Sequence, residues 1–589
     1  MQLRLIPALA GVLGVLGCAS TPAATPVAPP SAVAAGPDGV VPLPPTTLPR
    51  THAARPTTAA ITPADLMTRL YIFADDSMQG REAGTIGNVK GTTYIANEIR
   101  KMGLEPAGEN GTYFQTIPLV TRAFDTTSTF AVGGVSFAPF TDYALTSTSP
   151  VNLPSVEAVY GGAFGDTTVT LTESQVAGKL VVLSAPAGGF TLRRQVRTPP
   201  ALEKAAAVAI AGLDAFPPQA IGFLRQPRTF MNDNPRPEEN RPASLLVGER
   251  VAAALFDKPL AQLAVGDQGR SASLALRYSM TPVQYPARNV VGIVRGSDPA
   301  LRGEFVAIGA HNDHIGMTDR PVDHDSIRIW NHIVRPEGAD DGRKQATPEQ
   351  QRRVNAELAA FRSAHPGSAR QDSISNGADD DGSGSVTVLE IAQKIAAMKV
   401  KPKRSILFVW HVGEEKGLLG SRYFTDNPTV PRDSIVAQLN MDMVGRGDAY
   451  DETGRTKDGT PIHGNPNYLQ LVGSRRLSTE LGDLIEAVNK NGKHNMDLDY
   501  SIDANGHPSR IYCRSDHYEY ARYGIPITFF TTGLHSDYHQ VTDEPQYIDY
   551  THMARVGNFV EDIAVHVADL DHRVVVDHPK PDPRGQCVQ

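Results

Sequence analysis

At 589 residues the chain exceeds one ordinary domain, and two or three are expected. Its 41% hydrophobic and 20% charged residues are the composition of a globular protein. A net charge of -8 with no basic tract excludes the electrostatic footprint of a nucleic-acid binder. Three cysteines without a C-x-x-C spacing argue against a thiolate metal site.

The chain begins with one positive charge at Arg4 and an apolar run from Leu5 to Leu16, too short for an ordinary membrane-spanning helix. The run ends Val15-Leu-Gly-Cys18-Ala19, which resembles a bacterial lipobox. That resemblance implies a lipoprotein-type signal peptide over 1–18, cleaved before Cys18 and lipidated there. The expected location is then the bacterial cell envelope, anchored through Cys18 and facing the periplasm; plain periplasmic or secreted release is the alternative. The lipid is the only membrane contact implied. Residues 19–58, rich in Pro, Ala and Thr and nearly free of charge, read as a disordered tether.

From Thr62-Pro63 the spacing of Leu66, Leu70, Tyr71 and Phe73 predicts a helix, and 87–104 predicts a second, ended near Gly103. A strand follows near 113–120, so 59–121 reads as the first part of the main domain. Residues 122–282 change character, with Thr, Val, Ala and Gly dominant. Here 179–183 predicts a strand and the Ala-rich 201–211 a helix. With no cluster of acid–base or metal-binding residues, this region reads as an inserted, β-rich domain.

From 283 to 575 strands and helices alternate. Strands are predicted at 289–294, 305–310, 405–411, 435–439 and 527–531. Helices are predicted at 385–398, 478–489 (Ser478 as N-cap) and 553–570. This pattern predicts an α/β fold, a three-layer α/β/α sandwich with a mostly parallel central sheet. A charged insertion, 318–375, with a helical patch at 349–361, interrupts the order near the mouth of the expected site. Residues 576–589 form a tail. Pairing of Cys513 with Cys587 stays open, since sequence cannot bring their α-carbons together.

Five motifs carry the chemistry: His311-Asn-Asp313-His314, Asn376-Gly-Ala-Asp-Asp-Asp-Gly-Ser-Gly384, Glu414-Glu415, Asn440-Met-Asp442 and Asp537-Tyr-His539. Each follows a predicted strand or lies in a loop after one, and ligands in open α/β sheets gather beyond the carboxyl ends of strands. Two histidines with three or four carboxylates suit a two-metal hydrolase, and nitrogen and oxygen donors suit zinc. The echo Gly338-Ala-Asp-Asp341-Gly is a decoy, because no Ser-Gly and helix follow it.

In this order the motifs resemble the co-catalytic di-zinc aminopeptidases, the bacterial leucyl and Streptomyces-type enzymes. The resemblance covers 62–570 apart from the inserted region, which itself resembles a protease-associated domain. It implies a zinc-exopeptidase fold and two Zn²⁺ ions, with another divalent metal possible at one position. One ion would be held by His311, Asp380 and Asp442, the other by Asp380, Glu415 and His539. Asp380 would bridge, with Asp379 and Asp381 as competitors for that role. Asp313 would orient His311 through its carboxylate. Glu414 would be the general base and Tyr538 an oxyanion donor. Asp516, in Ser515-Asp516-His517, would support the ligands rather than belong to a nucleophilic triad, as no Gly-x-Ser-x-Gly turn is present. His314 has no matched role and reads as structural. Peptides are the implied substrates and aminopeptidase the implied activity. Carboxypeptidase or dipeptidase action on the same site, a glutaminyl cyclase-like acyl transferase and a non-catalytic binding protein are the alternatives.

Overall fold

Four apolar strands lie side by side and parallel: Ser405–His411, Phe305–His311, Ile435–Met441 and Ile527–Thr531. Every residue of these strands is buried, which explains why they read as unbroken apolar runs rather than alternating ones. The computed structural model describes residues 42–43, 48–147, 150–166, 171–186, 200–232, 242–367 and 369–589. The signal-like start, Cys18 and most of the expected tether fall outside them. Contacts group Leu43–Gln589 as one unit.

Among the described residues the largest sheet has nine strands and is mixed. Ala287–Val294 adds antiparallel to Ser405–His411 at one side, and Tyr468–Val472 adds antiparallel to Ile527–Thr531 at the other. Successive residues of a strand point to opposite faces. Val306, Ile308 and Ala310 accordingly join a core with helices Pro63–Phe73, Ile86–Lys101, Gly384–Ala397 and Tyr550–Asp569. Phe305 and Ala307 join a second core with Phe424, Tyr518 and Tyr520. The fold is thus mixed α/β, with helices packed on the sheet. Local signals set the helix starts: the Thr62 hydroxyl accepts from Asp65 N, and the Ser478 hydroxyl accepts from Leu481 N.

A separate eight-stranded sheet lies within 129–276, around its own core of Phe130, Tyr143, Val182 and Leu245. It corrects one expectation: 201–211 is not a helix. Pro200–Lys204 is a short 3₁₀ turn, and Ala207–Ala211 is a strand between Leu180–Ser184 and Ala243–Val247. Alanine's helix preference is a fraction of a kcal/mol per residue, and two parallel ladders override it.

Three further features refine the expectations. Tyr71 Oη donates to Pro49 O and Thr57 Oγ1 to Gln393 Oε1, so ordered contacts begin before residue 59. The insertion 318–375 holds two helices, His324–Val334 and Pro348–Ala364, of which only the second was legible. Cys513 and Cys587 form a disulfide.

Candidate active site

The parallel strands deliver their carboxyl ends to one place. His311 ends its strand, Glu414 and Glu415 lie in the turn after His411, Asp442 follows Met441, and Tyr538 and His539 lie in the loop after Thr531. Asp380 comes from the irregular turn Ala378–Ser383 that opens helix Gly384–Ala397. Gly377 makes that turn possible. Its φ is +56°, and a Cβ there would lie 2.2 Å from Asp380 O and 2.5 Å from His314 Cγ. The turn is pinned from below by Arg81, buried completely, which donates to Asn376 O (2.6 Å) and Gly377 O (2.8 Å).

Two donor groups share Asp380. In the first, His311 Nε2 lies 3.1 Å from Asp380 Oδ1 and 3.6 Å from Asp442 Oδ1. In the second, His539 Nε2 lies 3.0 Å from both Asp380 Oδ2 and Glu415 Oε2. His314 joins this second group, its Nδ1 2.8 Å from Glu415 Oε1. Sequence reading gave His314 no role, although its spacing of three from His311 beyond a strand end was visible. His539 itself adopts φ 57°, in the left-handed region that few non-glycine residues enter.

Neighbouring carboxylates hold the ligand segments together. Asp381 accepts from His311 N (2.9 Å), Gly384 N (2.9 Å) and Met443 N (3.2 Å), tying three ligand-bearing segments to one side chain. Asp543 accepts from Asp379 N (2.9 Å) and Asp380 N (3.0 Å). His311 Nδ1 is 3.1 Å from the backbone oxygen of Asp313, and 3.8 Å from its carboxylate. The contact with His311 therefore comes from the main chain. The Asp313 carboxylate instead accepts from Gly413 N (2.7 Å) and Glu414 N (3.2 Å), and so sets the turn that carries Glu414. Ser515, not Asp516, touches a candidate ligand: its hydroxyl donates to Asp442 Oδ2 (2.7 Å). Asp516 lies buried close by and is pushed up to about 7 by burial.

The site is short of positive charge. Burial pushes the Glu414 carboxyl well up, and the carboxylates of Asp442, Glu415 and Asp516 add to this against His311. Burial would raise Asp380 as well, but His311, His314 and His539 hold it well below the usual range. His311 and His539 in turn are raised against burial by the carboxylates they face. Several nitrogens and oxygens aimed into the groups, among them His311 Nε2, His314 Nδ1 and Glu415 Oε1, have no hydrogen-bond partner. Buried orphaned donors of this type, within 4.8 Å of one another, fit a divalent cation in each group. A third group, His324, Asp372 and Glu544, differs: Arg370 bonds both Glu544 and Asp372 and already supplies the cation.

Asp380, Glu414, Asp442 and Tyr538 face one pocket whose apolar walls are Met443, Ile502, Ile511, Phe529 and Leu534. Residues 350–564 match the family model described as Peptidase family M28. The matched segment holds Asp380, Glu414, Glu415, Asp442 and His539, while His311 precedes it. The chain is 28% identical over 218 residues to a probable leucine aminopeptidase 1 of Trichophyton verrucosum, covering 33% of this chain and 53% of that protein. It is 29% identical over 178 residues to leupeptin-inactivating enzyme 1 of Streptomyces exfoliatus, covering 30% and 33%. The chain therefore spans about half the length, or less, of the curated relatives it matches. Among solved structures, the aminopeptidase from Aneurinibacillus sp. strain AM-1 aligns over 88% of this chain and 97% of its own, at TM-score 0.44 and 15% identity.

Proposed function

We propose that this M28 protein is a zinc-dependent aminopeptidase that releases N-terminal residues from peptides. The observation that carries the reading is the pair of donor groups sharing Asp380, with Glu414 and Tyr538 facing the same pocket. His311, Asp380 and Asp442 would hold one ion; Asp380, Glu415 and His539, with His314 beside them, would hold the other. Zinc bound there supplies Lewis acidity toward the peptide carbonyl and lowers the pKa of the attacking water.

The protein's own groups supply the rest. Glu414 takes a proton from the attacking water and passes it to the leaving amine. Tyr538 Oη donates to the oxygen that gains charge as the carbonyl carbon becomes tetrahedral. The apolar walls take the side chain of the first residue. The choice of substrate terminus rests on charge. Glu414 and Asp442 line the pocket, and its two cations are engaged, Arg514 with Asp340 and Arg455 with Glu337 and Glu452. Neither arginine is left to clamp a substrate carboxylate, which favours a substrate that presents its amino end. The name carried by the Trichophyton relative agrees with this reading.

The same reading extends to architecture and location. The catalytic part is a three-layer α/β/α sandwich, 122–282 is a protease-associated insert, and Cys18 carries a lipid that anchors the protein in the cell envelope. The test of the activity is hydrolysis of leucine anilide against its N-acetylated form and against an N-blocked peptide with a free carboxylate. Cleavage of the free-amine substrate alone, abolished by chelator and restored by zinc, supports the reading. Preference for blocked substrates with a free carboxylate would replace it with a carboxypeptidase.

A further inference from the structure

The insertion 318–375 reaches the pocket. Its turn Gly338–Asp341 packs on the loop that carries Tyr538 and His539. Ala339 N donates to Tyr538 O (3.2 Å), and Gly338 adopts φ +58° with its α-carbon so close that a Cβ would lie 2.7 Å from Tyr538 O and 2.8 Å from His535 O. From this turn Asp340 receives both guanidinium arms of Arg514, Nη1 to Oδ2 at 2.5 Å and Nη2 to Oδ1 at 2.9 Å. Arg514 Nη2 also lies 3.5 Å from Tyr538 Oη. Behind them the insertion braces the same loop twice more. Arg328 Nε lies 3.7 Å from Asp537, and His324 Nε2 lies 3.0 Å from Glu544 Oε2.

We propose that Asp340 is a positioning residue for catalysis, acting from the insertion through Arg514 to set Tyr538 over the reacting carbonyl. This rests on the aminopeptidase reading above. The two-armed contact fixes the guanidinium plane in a way a single hydrogen bond cannot. A fixed Arg514 keeps its charge beside Tyr538 Oη. Without Asp340 the same cation is free to turn toward Glu414 and Asp442, which line the pocket with it. Asp340 thus does two things: it aims one cation at the oxyanion donor and withholds it from the base. Because Tyr538 acts on charge that develops during the reaction, the effect falls on kcat rather than on substrate binding.

The experiment compares wild type with Asp340→Ala, Asp340→Asn, Asp340→Glu, Arg514→Ala and the Asp340→Ala/Arg514→Ala double variant, using leucine anilide and zinc-loaded protein. Asp340→Ala is expected to lower kcat about 10–100-fold, the usual range for a residue that orients a working group, with KM within about threefold. Asp340→Glu should recover part of the loss, Asp340→Asn should fall between, and the double variant should be no worse than Arg514→Ala. A crystal structure of Asp340→Ala should show Arg514 turned toward Glu414 and Tyr538 Oη displaced. This structural arm stands even if wild type cleaves no peptide, a result that would sink the aminopeptidase reading alone. Unchanged kcat in Asp340→Ala, additive losses in the double variant, or an unmoved Arg514 and Tyr538 would each overturn the proposal.

Discussion

Removing the Cys513–Cys587 disulfide tests how the pocket wall is held. The bridge closes a loop of 74 residues, for which the chain-entropy account gives about 4 kcal/mol of stabilisation through the unfolded state. The folded contacts of the tail survive without it. Gln589 Oε1 accepts from Tyr512 N (2.8 Å), Gln589 Nε2 donates to Ile502 O (3.3 Å), and Arg510 donates to Cys587 O (2.7 Å). Most of the loss should therefore appear in stability, about 2–4 kcal/mol in Cys513→Ser/Cys587→Ser. Part should appear in KM, because Ile502, Ile511 and Arg514 line the pocket on the loop the bridge tethers. Urea unfolding followed by tryptophan fluorescence, which reports Trp330 and Trp410, measures the first effect. Leucine anilide kinetics measures the second. An unchanged urea midpoint would refute the reasoning, for it would mean that the tail contacts alone hold this loop and that the unfolded chain gains no freedom.

Asp381→Ala should destabilise by several kcal/mol and scatter the ligands: it orphans three buried N–H groups, each worth about 1–3 kcal/mol. Thermal melts together with metal affinity check this. Glu414→Gln should lower kcat by about 10²–10⁴-fold while leaving bound metal unchanged, as measured by elemental analysis. Stability should fall as pH drops from 6.5 toward 3. Burial lowers His411 and His517 from 6.5 to about 3, so the folded state binds fewer protons than the unfolded state in that window. Urea midpoints across pH 3.5–7 give the slope, and His411→Gln should flatten it.

The parallel strands were legible because burial on both faces demands unbroken apolar runs such as Ser405–His411. The strand ends then pointed to the ligands without any knowledge of distance. What escaped the sequence depends on contacts between remote segments. Ala207–Ala211 reads as helix locally and becomes a strand only because two neighbours supply ladders. His314 gained its place from Glu415, about a hundred residues later, and Asp340 from Arg514. The Asp313 carboxylate serves Glu414's turn while its backbone serves His311, a division that no residue type announces.

The most direct test of the central claim is the metal content of the purified protein, compared with His311→Ala, His539→Ala and Asp380→Ala and set beside leucine anilide hydrolysis. About two zinc per chain in wild type, about one in each histidine variant, and none with no activity in Asp380→Ala are the results expected from two ions sharing Asp380. A wild-type protein that binds no divalent metal, or that cleaves the substrate equally well in chelator, would contradict the account.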